Sequence, residues 1–152
     1  MTKIINGDLI LKKDTFLNEN LIVTGDIIGK DYMKFGLFVE GSIEARNIKV
    51  KYLKGTKINA NTIKSEKVTA EFVNANSLEI WDINSQRIDC YEINSNHVDS
   101  KDLSAHRIDA DLIVCDKFVP KNNNSKIMAK VFLENRFTHK KIEWKYAKEI
   151  IA

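Results

Sequence analysis

The sequence predicts an all-β solenoid, a parallel β-helix assembled from five-residue repeats, and three observations predict it. Stepping by five from Phe38 meets a large apolar residue every time. The series is Phe38, Ile43, Ile48, Leu53, Ile58, Ile63, Val68, Val73, Leu78, Ile83, Ile88, Ile93, Val98, Leu103, Ile108, Ile113 and Phe118. With 43% hydrophobic residues, so long an unbroken run is not a product of composition. Two residues after each large position sits, in most units, a smaller one, as in Ala45, Gly55, Ala60, Ser65, Ala75, Ser85, Cys90, Ser95 and Cys115. Finally, the breakers are confined: the single proline is Pro120, and all 6 glycines lie at or before Gly55.

The unit is large-x-small-x-x, as in Ile58-Asn59-Ala60-Asn61-Thr62. Period five fits neither a 3.6-residue helix nor a 3.5-residue coiled coil. It fits a short extended triplet followed by a corner. Residues one and three of the triplet point inward and residue two points outward. The outward residue is often a short amide or acid: Asn59, Asn74, Asn84, Asp89, Asn94, Asp99 and Asp109. Such residues bond their own backbone near turns, and stacked amides can ladder. Four units would close a square coil of about 20 residues, with coils about 4.8 Å apart. At 152 residues and 17.4 kDa, the chain supports one domain with a real core.

Residues 1–42 read as irregular opening coils. Ile5-Asn6-Gly7-Asp8, Val23-Thr24-Gly25-Asp26 and Val39-Glu40-Gly41-Ser42 align on their glycines, at spacings of 18 and 16. Glycine at one point of successive coils suggests a corner needing positive φ or close backbone approach. Residues 43–120 are the regular array, which Pro120 and Lys121-Asn122-Asn123-Asn124-Ser125 are expected to end. Residues 121–152 read as a basic cap or dimerisation segment covering the last coil with Phe132, Phe137 and Trp144. Its first part is strand-like, and Ile142-Glu143-Trp144-Lys145-Tyr146 fits strand or short helix. The three parts form one continuous domain.

The array resembles the pentapeptide-repeat proteins, which implies a right-handed quadrilateral β-helix over about residues 43–118. The size order is swapped relative to that family, with the large residue first, as in Ile88-Asp89-Cys90 and Val98-Asp99-Ser100. The Ile-x-Ala-x-x style also resembles an uncharacterised group of bacterial and phage-borne repeat proteins, whose arrays end similarly in a cysteine and a basic tail. Here those features are Cys115 and the segment from Ala129. The glycine-aligned opening coils resemble bactofilins, which implies polymer formation.

No Gly-x-Ser-x-Gly elbow, P-loop, HExxH or dinucleotide fingerprint is present, so no catalytic or cofactor-binding residues are assigned and the reading is a non-enzyme. Cys90 and Cys115 lack metal-ligand spacing, so no metal is expected and reduced thiols fit a cytoplasmic protein. The start of the chain does not read as a signal peptide, and no apolar run reaches membrane-spanning length. What remains is surface. Trp81 and Tyr91 stand at outward positions as candidate partner-binding anchors. On a 20-residue coil, Lys67, Arg87 and Arg107 would stack into a basic ladder beside Asp89 and Asp109, either a contact stripe or a salt-bridged solvated face. The expected function is a rigid interaction surface with a protein partner. By analogy of fold, that partner is a nucleic-acid-binding complex inhibited in the manner of an anti-CRISPR or other phage-encoded protein. The alternative is bactofilin-like self-assembly into a filament or oligomer through open coil ends; separately, the C-terminal segment is a candidate homodimer surface.

Overall fold

The computed structural model describes residues 1–30 and 34–134, and the backbone of 141–143 and 148–150. Phe137 and Trp144, the other two expected cap residues, lie outside the described residues. Among the described residues, eleven shorter strands precede or follow two long ones. In chain order the first eight are β1 (Thr2–Ile5), β2 (Leu9–Leu11), β3 (Thr15–Leu17), β4 (Asn20–Val23), β5 (Ile27–Gly29), β6 (Leu37–Val39), β7 (Ile43–Glu44) and β8 (Asn47–Lys49). The chain then runs extended through β9 (Tyr52–Ala105) and β10 (Arg107–Pro120), turning corners without leaving strand geometry. It closes with β11 (Ser125–Glu134), β12 (Lys141–Glu143) and β13 (Lys148–Ile150). All pairings from β1 to β11 are parallel, giving a solenoid of about 7 turns.

The register corrects the expected coil. Arg107 pairs with Glu92, Ile113 with Val98, Ile43 with Ile58 and Asn47 with Thr62, each 15 residues apart. Three five-residue units close a turn, so the prism is three-sided rather than four-sided. The period of five sets the length of a side and is silent about how sharply each corner bends. The first side runs through residues 43–45, 58–60, 73–75, 88–90 and 103–105. The second runs through 48–50, 63–65, 78–80, 93–95 and 108–110, and the third through 53–55, 68–70, 83–85, 98–100 and 113–115.

Each coil puts three large and three small residues inside. In one coil these are Ile88, Ile93 and Val98 with Cys90, Ser95 and Ser100, all buried. Burial of each large side chain contributes about 1.5–3 kcal/mol. The small residue ends its side, where the chain bends away and the interior narrows. At Gly55 an added Cβ would lie 3.0 Å from Ile43 Cδ1, which shows how tight that position is. The buried serines also hold the corners. Ser65 Oγ meets the carbonyls of Lys51 and Lys67, Ser85 those of Glu71 and Arg87, Ser95 those of Trp81 and His97, and Ser100 those of Gln86 and Asp102. Each hydroxyl thereby bridges its own corner to the corner one coil below.

Three further departures from the expected pattern have local causes. Leu37, not Phe38, is the inward residue of β6, because it pairs with Leu53 at an offset of 16; Phe38 faces outward and stacks on Phe16 with centroids 4.8 Å apart. Gly7 and Gly25 share a corner as expected: Gly7 has φ +92°, and a Cβ on Gly25 would strike the Gly7 carbonyl. Gly41 does not join them. The second coil is longer, with Leu21 paired to Ile43, so Arg46 takes the place above Gly25 and Gly41 sits over Asn20. Residues 121–124 do not end the array but interrupt it. Asn122 accepts from the Ser125 N–H, and the ladder resumes with Arg107 beside Lys126, 19 residues apart.

Phe132 is buried, in edge contact with Phe118 at 6.1 Å, and so belongs to the core of the last coil. Glu134 Oε2 accepts from the Phe118 N–H at 2.9 Å. Two antiparallel strands then lie along β11, with Ile142 opposite Phe132 and Glu149 opposite Lys126. Of the segment open to strand or helix in the sequence, Ile142 and Glu143 lie in β12, and residues 144–146 are outside the described residues.

A candidate protein-contact face on the second side

Three sides place the singled-out residues differently from four. Lys67, Arg87 and Arg107 are 20 apart, so on a 15-residue coil each falls on a different corner and no basic ladder forms. Arg87 stands on the corner between the third and first sides, 5.7 Å from the Phe72 ring and 3.7 Å from Asp102. Arg107 lies beside Glu92 on the corner leading into the second side. Lys67 follows the buried Ser65 onto the corner leaving the second side. Asp89 and Asp109 are likewise on different sides: Lys121 bonds Asp89, and Asp109 stacks beside Asn94.

The second side is bounded by four of the five residues. Tyr91 and Arg107 stand on the corner where it begins, Trp81 and Lys67 on the corner where it ends. Trp81 is 66% exposed and Tyr91 48% exposed. Tyr91 is held by ring stacking on His106 one coil above, centroids 4.6 Å apart at 24°. Trp81 is fixed through its backbone, because its carbonyl accepts from the buried Ser95 hydroxyl at 3.2 Å. Neither indole nor phenol belongs to the core, which the large residues already fill.

Between the two corners the face is grooved. Two adjoining grooves of about 490 and 240 Å³ run along it and share Lys64 and Glu79. Trp81 lines the smaller one together with Asn94 and Asn96. Lys64 and Glu79 pair at 3.3 Å across successive coils. The outward mid-positions change from Lys49 and Lys64 at the N-terminal end to Glu79 and Asp109 towards the C-terminal end. The face is therefore polar, mixed in charge and rimmed by aromatics. Beside it, His97 Nδ1 lies 3.1 Å from Asp82 Oδ1.

The first side is an amide surface. Asn59, Asn61, Asn74 and Asn76 line a groove of about 640 Å³, and Asn59 Oδ1 is buried without a hydrogen-bond partner. The amide ladder expected for Asn59 is thus not made by that oxygen. At one end of this groove, Arg46 forms two bonds to Asp26, at 2.8 and 3.0 Å, and the guanidinium holds the Asp26 carboxyl below its ordinary value. Asn47 adds a third bond to Asp26 at 3.1 Å. Sequence reading did not single out this pair. It is visible only once the longer second coil is known to place Arg46 above Gly25, next to Asp26.

Cys90 and Cys115 are both buried and free. Burial pushes the Cys90 thiol up to about 12, Lys121 drawing it down and Asp89 raising it further. At neutral pH it is a packing group rather than a nucleophile. Among the described residues no cluster of three or more His, Cys, Asp or Glu has metal-binding geometry, and no helix is long and apolar enough to cross a membrane. Compared with protein-family models, curated proteins and solved structures, the chain matches none.

Proposed function

We propose that this solenoid is a non-catalytic binding rod that recognises a protein partner through its second side. The observation that carries the reading is Trp81, an indole two-thirds exposed at the rim of two joined grooves, on a backbone fixed by the ladder. Tryptophan in such a place is the residue type in which interface energy concentrates. A rigid ladder adds affinity because little entropy is lost on docking. The alternating lysines and acids of the groove floor suit a partner surface of mixed charge, where complementarity sets register.

In its most specific form the partner is a nucleic-acid-processing complex and the rod its inhibitor. What supports this is the net charge of −5 over residues 58–118, with 6 basic and 11 acidic residues. The support is axial only, because these acids stand on all three sides. The contact is therefore made by Trp81 and its neighbours rather than by a continuous acidic strip.

Affinity capture from host lysate with wild type and Trp81→Ala tests the reading, followed by titration of the captured protein. Truncating an anchor of this kind weakens binding by about 2 kcal/mol or more. An exposed substitution away from the core changes stability by no more than about 0.5 kcal/mol. Equal capture by both proteins, or capture lost only together with folding, refutes the assignment of this face.

A further inference from the structure

The first coil carries apolar residues where the rest of the prism is polar. Ile4 is 63% exposed, Ile10 55% and Phe16 72%, and each sits at the outward mid-position of a different side. The same three positions in the second coil are Ile22, Ile28 and Phe38. In the third coil they turn to Glu44, Lys49 and Lys54. An apolar collar thus encircles the N-terminal end and stops after two coils.

That end is also an open sheet edge. Among the described residues β1 pairs with β4, β2 with β5 and β3 with β6, and no strand lies along their other edges. Ile5, Leu9 and Leu17 belong to the core but are only partly buried there. Unpaired strands beside exposed apolar side chains are a template for further pairing.

We propose that a second copy of this chain docks on this edge, head to head about a twofold axis. A twofold axis perpendicular to the prism lays one side of the first coil antiparallel to itself and exchanges the other two. Whichever side lies on the axis, an apolar mid-position meets an apolar mid-position, because all three are apolar. A partner of another fold would have to match three differently directed sides at once. Charge agrees: the first coil holds Lys3, Lys12 and Lys13 against Asp8, Asp14 and Glu19, so two copies do not repel. Lys3, at the inward register beside Leu21, is exposed at the start of β1, and its long stem lets the amine leave the interface. The opposite end is unlike this one. Its edge is lined by antiparallel β12 and β13, and residues 119–152 carry 8 basic and 3 acidic residues. Pairing through one end gives a closed dimer and no filament.

Sedimentation velocity on the full chain reads the assembly. Wild type is expected to dimerise reversibly, with a melting temperature that rises with protein concentration. Ile10→Lys combined with Phe16→Lys is expected to raise the dissociation constant at least about tenfold, since it puts charge into the apolar collar that the two copies press together. Ile4→Thr, which keeps strand propensity, is a second variant should the double one fold poorly, and it should weaken the dimer in the same direction. Trp81→Ala should leave the dimer intact. A monomeric wild type overturns the proposal. So does a dimer indifferent to the collar variants, a dimer lost with Trp81, or growth into polymers.

Discussion

Asp26 shows how much a single residue can organise at the irregular end of the solenoid. Its carboxylate takes two bonds from Arg46 and one from Asn47, while its own N–H donates to Asp8 Oδ1 at 2.7 Å. The second and third coils are joined there by side chains as well as by the ladder. Because the pair holds the Asp26 carboxyl below 3.8, the native state binds this proton less readily than the unfolded chain. The stabilisation is complete above 3.8 and disappears as pH falls through the lower native value. Asp26→Asn should therefore melt at a lower temperature than wild type at neutral pH, with the difference shrinking as pH drops below 3.8. Thermal melts across that range check it, and added salt should narrow the neutral-pH gap because the Arg46 side chain is largely exposed. A difference that stays constant with pH would mean that packing, not charge, accounts for the loss.

At the scale of the element, the corner is the part that physical chemistry had to supply. Ser85 offers one proton to two carbonyls, at 3.2 Å on Glu71 and 3.0 Å on Arg87, and the same arrangement recurs at Ser65, Ser95 and Ser100. Ser85→Ala keeps the small volume and removes the bridge, so it should cost about 0.5–1.5 kcal/mol in denaturant unfolding. Ser85→Val should cost more, because it adds bulk at the narrow end of the side. An alanine variant as stable as wild type would show that the ladder alone holds the corner. Much of this element was legible beforehand: the inward pairs from Ile43 to Cys115 follow from the spacing of five, because burial acts on every repeat alike. The bend between sides was not, since Asn61-Thr62 and Trp81-Asp82 are solvent-facing pairs whose composition barely constrains the angle. Phe38 was misplaced for a related reason. Both it and Leu37 are apolar, and only pairing with Leu53 decides which one enters the core. The resumption after Pro120 left a trace, as Ile127-Met128-Ala129 and Phe132 repeat the unit after a four-residue insertion.

For the whole molecule, the number of sides decides what the surface is. The formal charge of +3 divides along the axis into +3 for residues 1–57, −5 for 58–118 and +5 for 119–152. On a square prism, Lys67, Arg87 and Arg107 would have concentrated part of that charge in one stripe. On three sides they separate, and Glu79 and Asp109 on the second side, Asp89 on the first and Asp99 on the third spread the acids as well. The molecule is polarised along its length and nearly uniform around it, so under the proposed function a partner that senses charge would select axial position, and Trp81 and Tyr91 would select the side. Spin labels test the geometry on which this rests. Glu71 and Gln86 are exposed corner residues 15 apart, one above the other on a three-sided coil. Labels on this pair should lie within about 5–10 Å and broaden each other strongly in continuous-wave spectra, since adjacent strands are about 4.8 Å apart. Labels at Glu71 and Tyr91, 20 apart, would stack on a four-sided coil but stand on different corners here, and should give spectra close to the sum of the single labels. The buried Cys90 and Cys115 should not take up label in the native state, which keeps the readout on the introduced pair. Strong broadening for the 20-residue pair and none for the 15-residue pair would restore the square prism, and with it the basic ladder.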